Sequence, residues 1–363
     1  MKIIHVAQFL GIGGLEKIIF HLAKEQVKQG HVVEIYIYDH DRSWVEYFRS
    51  QGLTVITPTL KKPGYDLSLL KRLKHDLSDA DIINSHDMNP MMYLGPLQLF
   101  RKKPKLIHTT HGLDHIKNYP RAKLYESIVM RWCQHLIGVS DKIGNFYKHE
   151  LKLNQKKITV IPNGIATYEG KITTPLRNEK KKWLCERHNL NPDKPMILSL
   201  SRIVRLKDQK FLVECFNQRP EYQLIIAGPP SDPDYNKEIK SMAKNNITFV
   251  GSQELVLDYN LGVDLYVSAS TTEGIPVAVL EAMAVATPVL ISDIPGHTTL
   301  NQYQDVVNTY QIGKQEDFLF HCDNIINNKN NFDSIAMNSK TVVEKYFSVK
   351  AMVEAYMKVY KNA

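Results

Sequence analysis

Apolar strand-like runs and helix-like segments alternate through the chain in two series, separated by a polar break. Residues 3–9 and 31–39 read as strands. Between them Leu15, Ile18, Ile19, Leu22 and Ala23 share one helical face, and Gly30 ends the run. Further strands are expected at 81–85, 105–110, 135–140 and 158–162, with helices at 66–77 and 121–134. After Asn163-Gly164 the chain turns polar over 167–177, and 178–189 reads as a charged helix. The alternation then restarts, with strands at 196–201, 222–227, 247–251, 264–268, 288–292 and 307–311 and a helix at 209–217. Such alternation specifies parallel, doubly wound sheets. The expected fold class is therefore α/β, with two Rossmann-like domains at 1–166 and 167–345 and a terminal helix in 346–363. Ser348 is the N-cap of that helix, and Val349, Met352, Val353, Tyr356 and Tyr360 form its apolar face. Two such units facing a cleft would bring both sets of strand C-termini, where α/β ligands bind, to one crevice. The run N-N-K-N-N at 327–331 reads as a surface loop.

The most informative stretch is 271–288, T-T-E-G-I-P-V-A-V-L-E-A-M-A-V-A-T-P, which follows the buried strand D-L-Y-V-S-A-S. Pro276 sits where a helix begins, a position at which its missing N–H costs nothing. A strand, a glycine-containing turn and a helix N-terminus make an anion site, because free N–H groups and the positive dipole end converge there. Glu273 lies in the turn, and Glu281 lies two helical turns deeper on nearly the same face. Carboxylates flanking an anion site suit hydroxyls on either side of a phosphate, as in a ribose and a sugar.

This E-x7-E pattern within E-G-I-P…L-E-A-M-A…P-V resembles the signature of retaining, nucleotide-sugar-dependent glycosyltransferases of the GT-B fold, glycosyltransferase family four. The resemblance extends from residue 3 to residue 360 through the Gly13-Gly14 turn, G-V-S at 138–140 and I-P-N-G at 161–164. It implies that Arg202 and Lys207, in S-R-I-V-R-L-K-D, grip the diphosphate; arginine forks onto two oxygens while lysine acts as a point charge. Arg205 between them departs from the family pattern. Glu273 is expected at the transferred sugar and Glu281 at the ribose, with backbone of Gly13, Gly14, Gly274 and Ile275 approaching the donor. His111, in H-T-T-H-G-L-D, is expected to reach the donor sugar, and His108 is its competitor. Ala286 stands where the family often has glycine, read as a small packing change. The catalytic set is thus His111, Glu273, Arg202 and Lys207. No cofactor or metal is expected, because Asp232-Pro233-Asp234 sits in a proline-rich loop. The terminal helix is expected to cross back to the first domain.

The implied activity is retaining transfer of a hexose or N-acetylhexosamine from a nucleoside-diphosphate sugar, UDP-linked, by front-face attack. The implied acceptor is a glycan, a polyprenyl-diphosphate-linked glycan or a lipid A core, in bacterial-type surface polysaccharide (lipopolysaccharide or capsule) biosynthesis. A nucleotide-sugar epimerase of the same architecture is the alternative. A noncatalytic nucleotide-sugar binder is disfavoured by the intact Arg202, Lys207, Glu273 and Glu281.

Charge bears on partners. Residues 1–165 hold 24 Lys+Arg and 15 Asp+Glu, a balance of +9, against 22 and 23 in the remainder, so the first half carries the whole net +8. Clusters at Arg101, Lys102, Lys103 and Lys105, and at Lys117, Arg121 and Lys123, favour an anionic membrane surface or lipid-linked phosphate. Nucleic acid is not expected, because no basic motif is interleaved with aromatics. Four scattered cysteines, no apolar run of spanning length and no leader-like start suggest a cytoplasmic protein, peripheral on the inner face of the plasma membrane.

Overall fold

The structure is a computed structural model that describes residues 1–11, 14–40, 42–99, 103–113, 122–273, 276–302 and 306–363. Gly13, Gly274 and Ile275 of the expected site, and Arg101, Lys102, Lys117 and Arg121 of the basic clusters, lie outside the described residues. The chain divides into two units, Met1–Gly164 with Val349–Ala363, and Ile165–Ser348.

The first unit is built on parallel strands β1 (Lys2–Ala7), β2 (Val32–Ile37), β3 (Thr54–Ile56), β4 (Ile82–His86), β5 (Lys105–Thr110), β6 (His135–Gly138) and β7 (Ile158–Val160), in the order 3-2-1-4-5-6-7. Helices cover both faces, so the strands are apolar on both sides. Ile3, Ile82 and Ile107 pack under the helices Gly14–Lys28 and Val349–Asn362 through Ile18, Leu22, Met352 and Tyr356. The alternate residues Ile4, Ile83 and Leu106 pack under Leu69, Leu73, Met91 and Leu94. The terminal helix therefore returns to the first domain, as the resemblance implied.

The second unit repeats the plan with β8 (Met196–Leu200), β9 (Gln223–Ala227), β10 (Ile247–Gly251), β11 (Leu265–Ser268), β12 (Val289–Ser292) and β13 (Asn308–Tyr310), all parallel, in the order 10-9-8-11-12-13. Strand order reverses between β1 and β4 in one sheet and between β8 and β11 in the other. In open α/β sheets a ligand crevice forms beyond the strand C-termini at that switch.

Several local expectations are corrected. The stretch 327–331 is not a loop: helices Gln315–Asn327 and Lys329–Val342 meet at Asn328. Packing of Phe332 and buried Ala336 outweighs the poor helix propensity of asparagine. The charged helix starts earlier, at Thr174, because the Thr173 hydroxyl accepts from the Leu176 N–H and Pro175 occupies the first turn. Ala286 is more than a packing change. Its φ of 50° is left-handed, which explains the family's glycine there. Arg177 braces this turn by donating to the carbonyls of Val285 and Ala286 at 2.7 Å each. Among the described residues no helix is long and apolar enough to cross a membrane.

Candidate functional site

The chain leaving β8 is held from three sides. Ser201 N–H donates to the Ala227 carbonyl and Ile203 N–H to the Pro229 carbonyl, both at 2.9 Å. Buried Gln209 donates to Ser201 Oγ and to the Arg202 carbonyl, also at 2.9 Å. Gly228 (φ 144°) passes so close that a Cβ would lie 1.8 Å from the Ser201 carbonyl oxygen, so only glycine lets these strand ends meet. Arg202 emerges exposed, with no ion-pair partner among the described residues. Arg205 is directed elsewhere: it pairs with Glu238 at 3.2 Å and lies over the Tyr235 ring at 5.1 Å. That removes it from the Arg202/Lys207 pair. Lys207 closes a 3-10 turn, Arg205–Lys207, before the left-handed Asp208 (φ 44°) that caps the helix Gln209–Phe216.

The chain leaving β11 reaches the same place. Ser292 Oγ donates to the Ser270 carbonyl at 2.6 Å, and Thr271 N–H donates to the Leu206 carbonyl at 2.9 Å, tying this turn to the Lys207 turn. Ser270 Oγ donates to Glu273 Oε1 at 2.8 Å, and Lys207 Nζ forms an ion pair with the same oxygen. Gly296 backs the turn, where a Cβ would sit 2.5 Å from the Glu273 carbonyl oxygen. Pro276 is the N-cap of the helix Val277–Ala284, and its side chain makes no capping hydrogen bond. The N-terminus keeps N–H groups available for an anion.

Arg202, Lys207, Glu273 and Glu281 line one pocket of about 310 Å³ with Leu200, Ser201, Tyr266, Ser268 and residues 276–279. The structure thus brings four expected site residues together at the β8/β11 switch. Tyr266 donates to the Leu200 carbonyl at 3.1 Å. Burial, then Glu281 and Glu273, push its hydroxyl pKa well up, so it stays protonated. His297 lies behind Glu273. Its Nδ1 donates to the Ser292 carbonyl at 2.9 Å, and burial holds its pKa below the ordinary value.

Asp232 is a helix cap, accepting from Tyr235 N–H at 3.0 Å. Among the described residues no three His, Cys, Asp or Glu side chains form a metal-binding set.

The remaining expected residues belong to the first unit. Gly14 opens the helix Gly14–Lys28. His111 follows β5, and its N–H donates to Asp87 Oδ1 at 3.0 Å. His108 is buried on the opposite side chain phase, with ring nitrogens 2.8 Å from Ser85 Oγ and 3.0 Å from Thr110 Oγ. Those partners make it a core histidine.

The family model for Glycosyltransferase Family 4 matches residues 12–169, and that for Glycosyl transferases group 1 matches residues 181–341. The chain belongs to the group 1, family 4 glycosyltransferases. This glycosyltransferase is similar to O-antigen chain mannosyltransferase C of Escherichia coli, 20% identical over 99% of this chain and 98% of that one. Its fold matches a Rickettsia africae glycosyltransferase crystal structure with a TM-score of 0.84, at 20% identity over 99% and 98% of the two chains. It also matches Anabaena HepE solved with UDP and glucose, TM-score 0.78, at 16% identity over the full length of both. The fold is GT-B. In this glycosyltransferase the motif residues were readable from sequence, whereas Tyr266, Ser270, Gly296 and His297 were not. They support the pocket through sheet register and close backbone approach, which linear spacing does not encode.

Proposed function

We propose that the enzyme transfers a hexose or N-acetylhexosamine, with retention of configuration, from a UDP-linked sugar to a glycan or lipid-linked acceptor in bacterial surface polysaccharide synthesis. The observation that carries this reading is the convergence of Arg202, Lys207, Glu273 and Glu281 with the N-terminus of the helix Val277–Ala284 on one pocket. The diphosphate takes Arg202, Lys207 and the helix N–H groups, which stabilise the charge developing on the leaving group. Glu281 accepts from the ribose. Lys207 exchanges Glu273 for a phosphate oxygen, which frees Glu273 to accept from a sugar hydroxyl. His111 takes another hydroxyl of the sugar. UDP and a surface-polysaccharide acceptor are supported by what the HepE structure contains and by the name of the O-antigen relative.

No metal enters this reading, because two cations and a helix dipole face the diphosphate. A panel of nucleotide sugars tests it: one UDP-sugar should raise Tm, since only the folded protein binds it. Turnover of that donor should continue in EDTA. Loss of turnover in EDTA with rescue by manganese would overturn metal independence, and a new isomer formed from the donor alone would favour epimerisation. The basic first unit would rest on an anionic bilayer, and failure to float with anionic liposomes at low salt would refute that contact.

A further inference from the structure

Three histidines that sequence reading did not connect form one chain across the first sheet. β1, β4 and β5 are neighbours, with Val6 opposite Ser85 and His86 opposite Thr109. His5, His86 and His111 fall on the same face, each further toward the strand C-termini. Gln26, from the covering helix Gly14–Lys28, presents its amide oxygen 2.8 Å from His5 Nε2. His5 Nδ1 lies 2.9 Å from His86 Nε2, and His86 Nδ1 lies 3.0 Å from His111 Nε2. The chain ends at His111 Nδ1, which is buried and has no hydrogen-bond partner among the described residues.

Proton counting gives this chain a direction. A neutral imidazole has one N–H and one bare nitrogen. The Gln26 oxygen can only accept, so His5 carries its proton on Nε2 and offers a bare Nδ1. His86 must then donate from Nε2 and accept at Nδ1, and His111 must donate from Nε2. Its Nδ1 is left as a lone pair. Burial disfavours the charged form of all three rings, which keeps one proton per ring.

We propose that Gln26, His5 and His86 are positioning residues that fix His111 as the Nε2–H tautomer, so that its Nδ1 receives a hydrogen bond from a hydroxyl of the bound sugar. This rests on the assignment of His111 to the sugar made above. Aligned hydrogen bonds polarise one another in a low-dielectric interior. As positive charge develops on the sugar, the chain can shift electron density toward Nδ1 without moving a proton. The ring so prepared favours a hydroxyl hydrogen over a carbonyl or carboxylate oxygen.

Nitrogen NMR of the histidine-labelled full-length protein tests the direction. His111 should show a bare Nδ1 and a protonated Nε2, and an Nδ1–H tautomer or a mixture would overturn the proposal. His86→Leu should mix the His111 tautomers and lower kcat for nucleoside diphosphate release about ten-fold, with the donor KM within about two-fold. His86→Asn, whose amide oxygen can accept from His111 Nε2–H, should restore both readouts. Gln26→Glu, which keeps the acceptor at the far end, should leave the tautomer unchanged and covers the case in which His86→Leu does not fold. A normal tautomer and kcat in His86→Leu, alongside an impaired His111→Ala, would sink the positioning chain and spare the function. Full activity in His111→Ala would sink the role of His111 and this inference with it.

Discussion

Arg202→Ala should lower kcat/KM by about 10²–10³-fold, roughly 3–4 kcal/mol of transition-state binding, with Tm nearly unchanged. The separation follows from what the side chain touches. Arg202 is exposed and has no ion-pair partner among the described residues, so its removal breaks no packing. The loop carrying it is held by backbone and by Gln209, which donates to the Arg202 carbonyl whatever the side chain. Losing the guanidinium therefore removes the charge proposed to meet the diphosphate and little else. Lys207→Ala is a less clean experiment. It strips the cation from a part-buried Glu273 and leaves Ser270 Oγ on the shared oxygen, so loss of the proposed phosphate contact is mixed with loss of the carboxylate's ion pair. Steady-state kinetics and thermal melts on the two variants separate the cases. A near-normal rate in Arg202→Ala would remove it from the mechanism.

What was legible in the chain divides along a physical line. Strands buried on both faces announce themselves as apolar runs, so both sheets could be read from sequence. β3 (Thr54–Ile56) was missed because three residues carry no period. The helix Met88–Gln98 was missed because Pro90, Gly95 and Pro96 suppress helix propensity and its buried residues, from Pro90 to Gln98, leave no amphipathic pattern. Arg202, Lys207, Glu273 and Glu281 were legible as a group because they sit at short offsets from the ends of two apolar strands, β8 and β11, and the structure brings all four to one pocket. His5 and His86 gave no such signal. His5 interrupts an apolar run and His86 ends the mixed strand I-I-N-S-H, and only the register of β1 on β4 and β4 on β5 lines them up.

That buried histidine chain should also make the first unit labile to mild acid. His5 is fully buried, and desolvation pushes its pKa down to about 4 from the ordinary 6.5. His86 is pushed well down by burial, with His5, His111 and His108 adding, and His111 is lowered by burial against the opposing Asp87. Between pH 6.5 and 4 the unfolded chain takes up protons that the folded chain refuses. Stability is thus complete above about pH 6.5 and falls with pH. For His5 alone the full loss is about 3 kcal/mol, of which about 2 kcal/mol is gone by pH 5. Carboxylates act in a lower window. Asp66 is held well below the usual range, first by the Ser68 hydroxyl and then by N–H donors, so its contribution is lost only as pH drops below about 4. Urea midpoints measured from pH 7.5 to 5 should therefore fall steadily, with a proton uptake on unfolding greater than one. His5→Gln, although less stable at neutral pH, should show a flatter profile because one of the refusing sites is gone. An equal slope in the variant and the parent would mean that His5 is already solvated in the folded protein, contrary to its burial among Gln26 and His86.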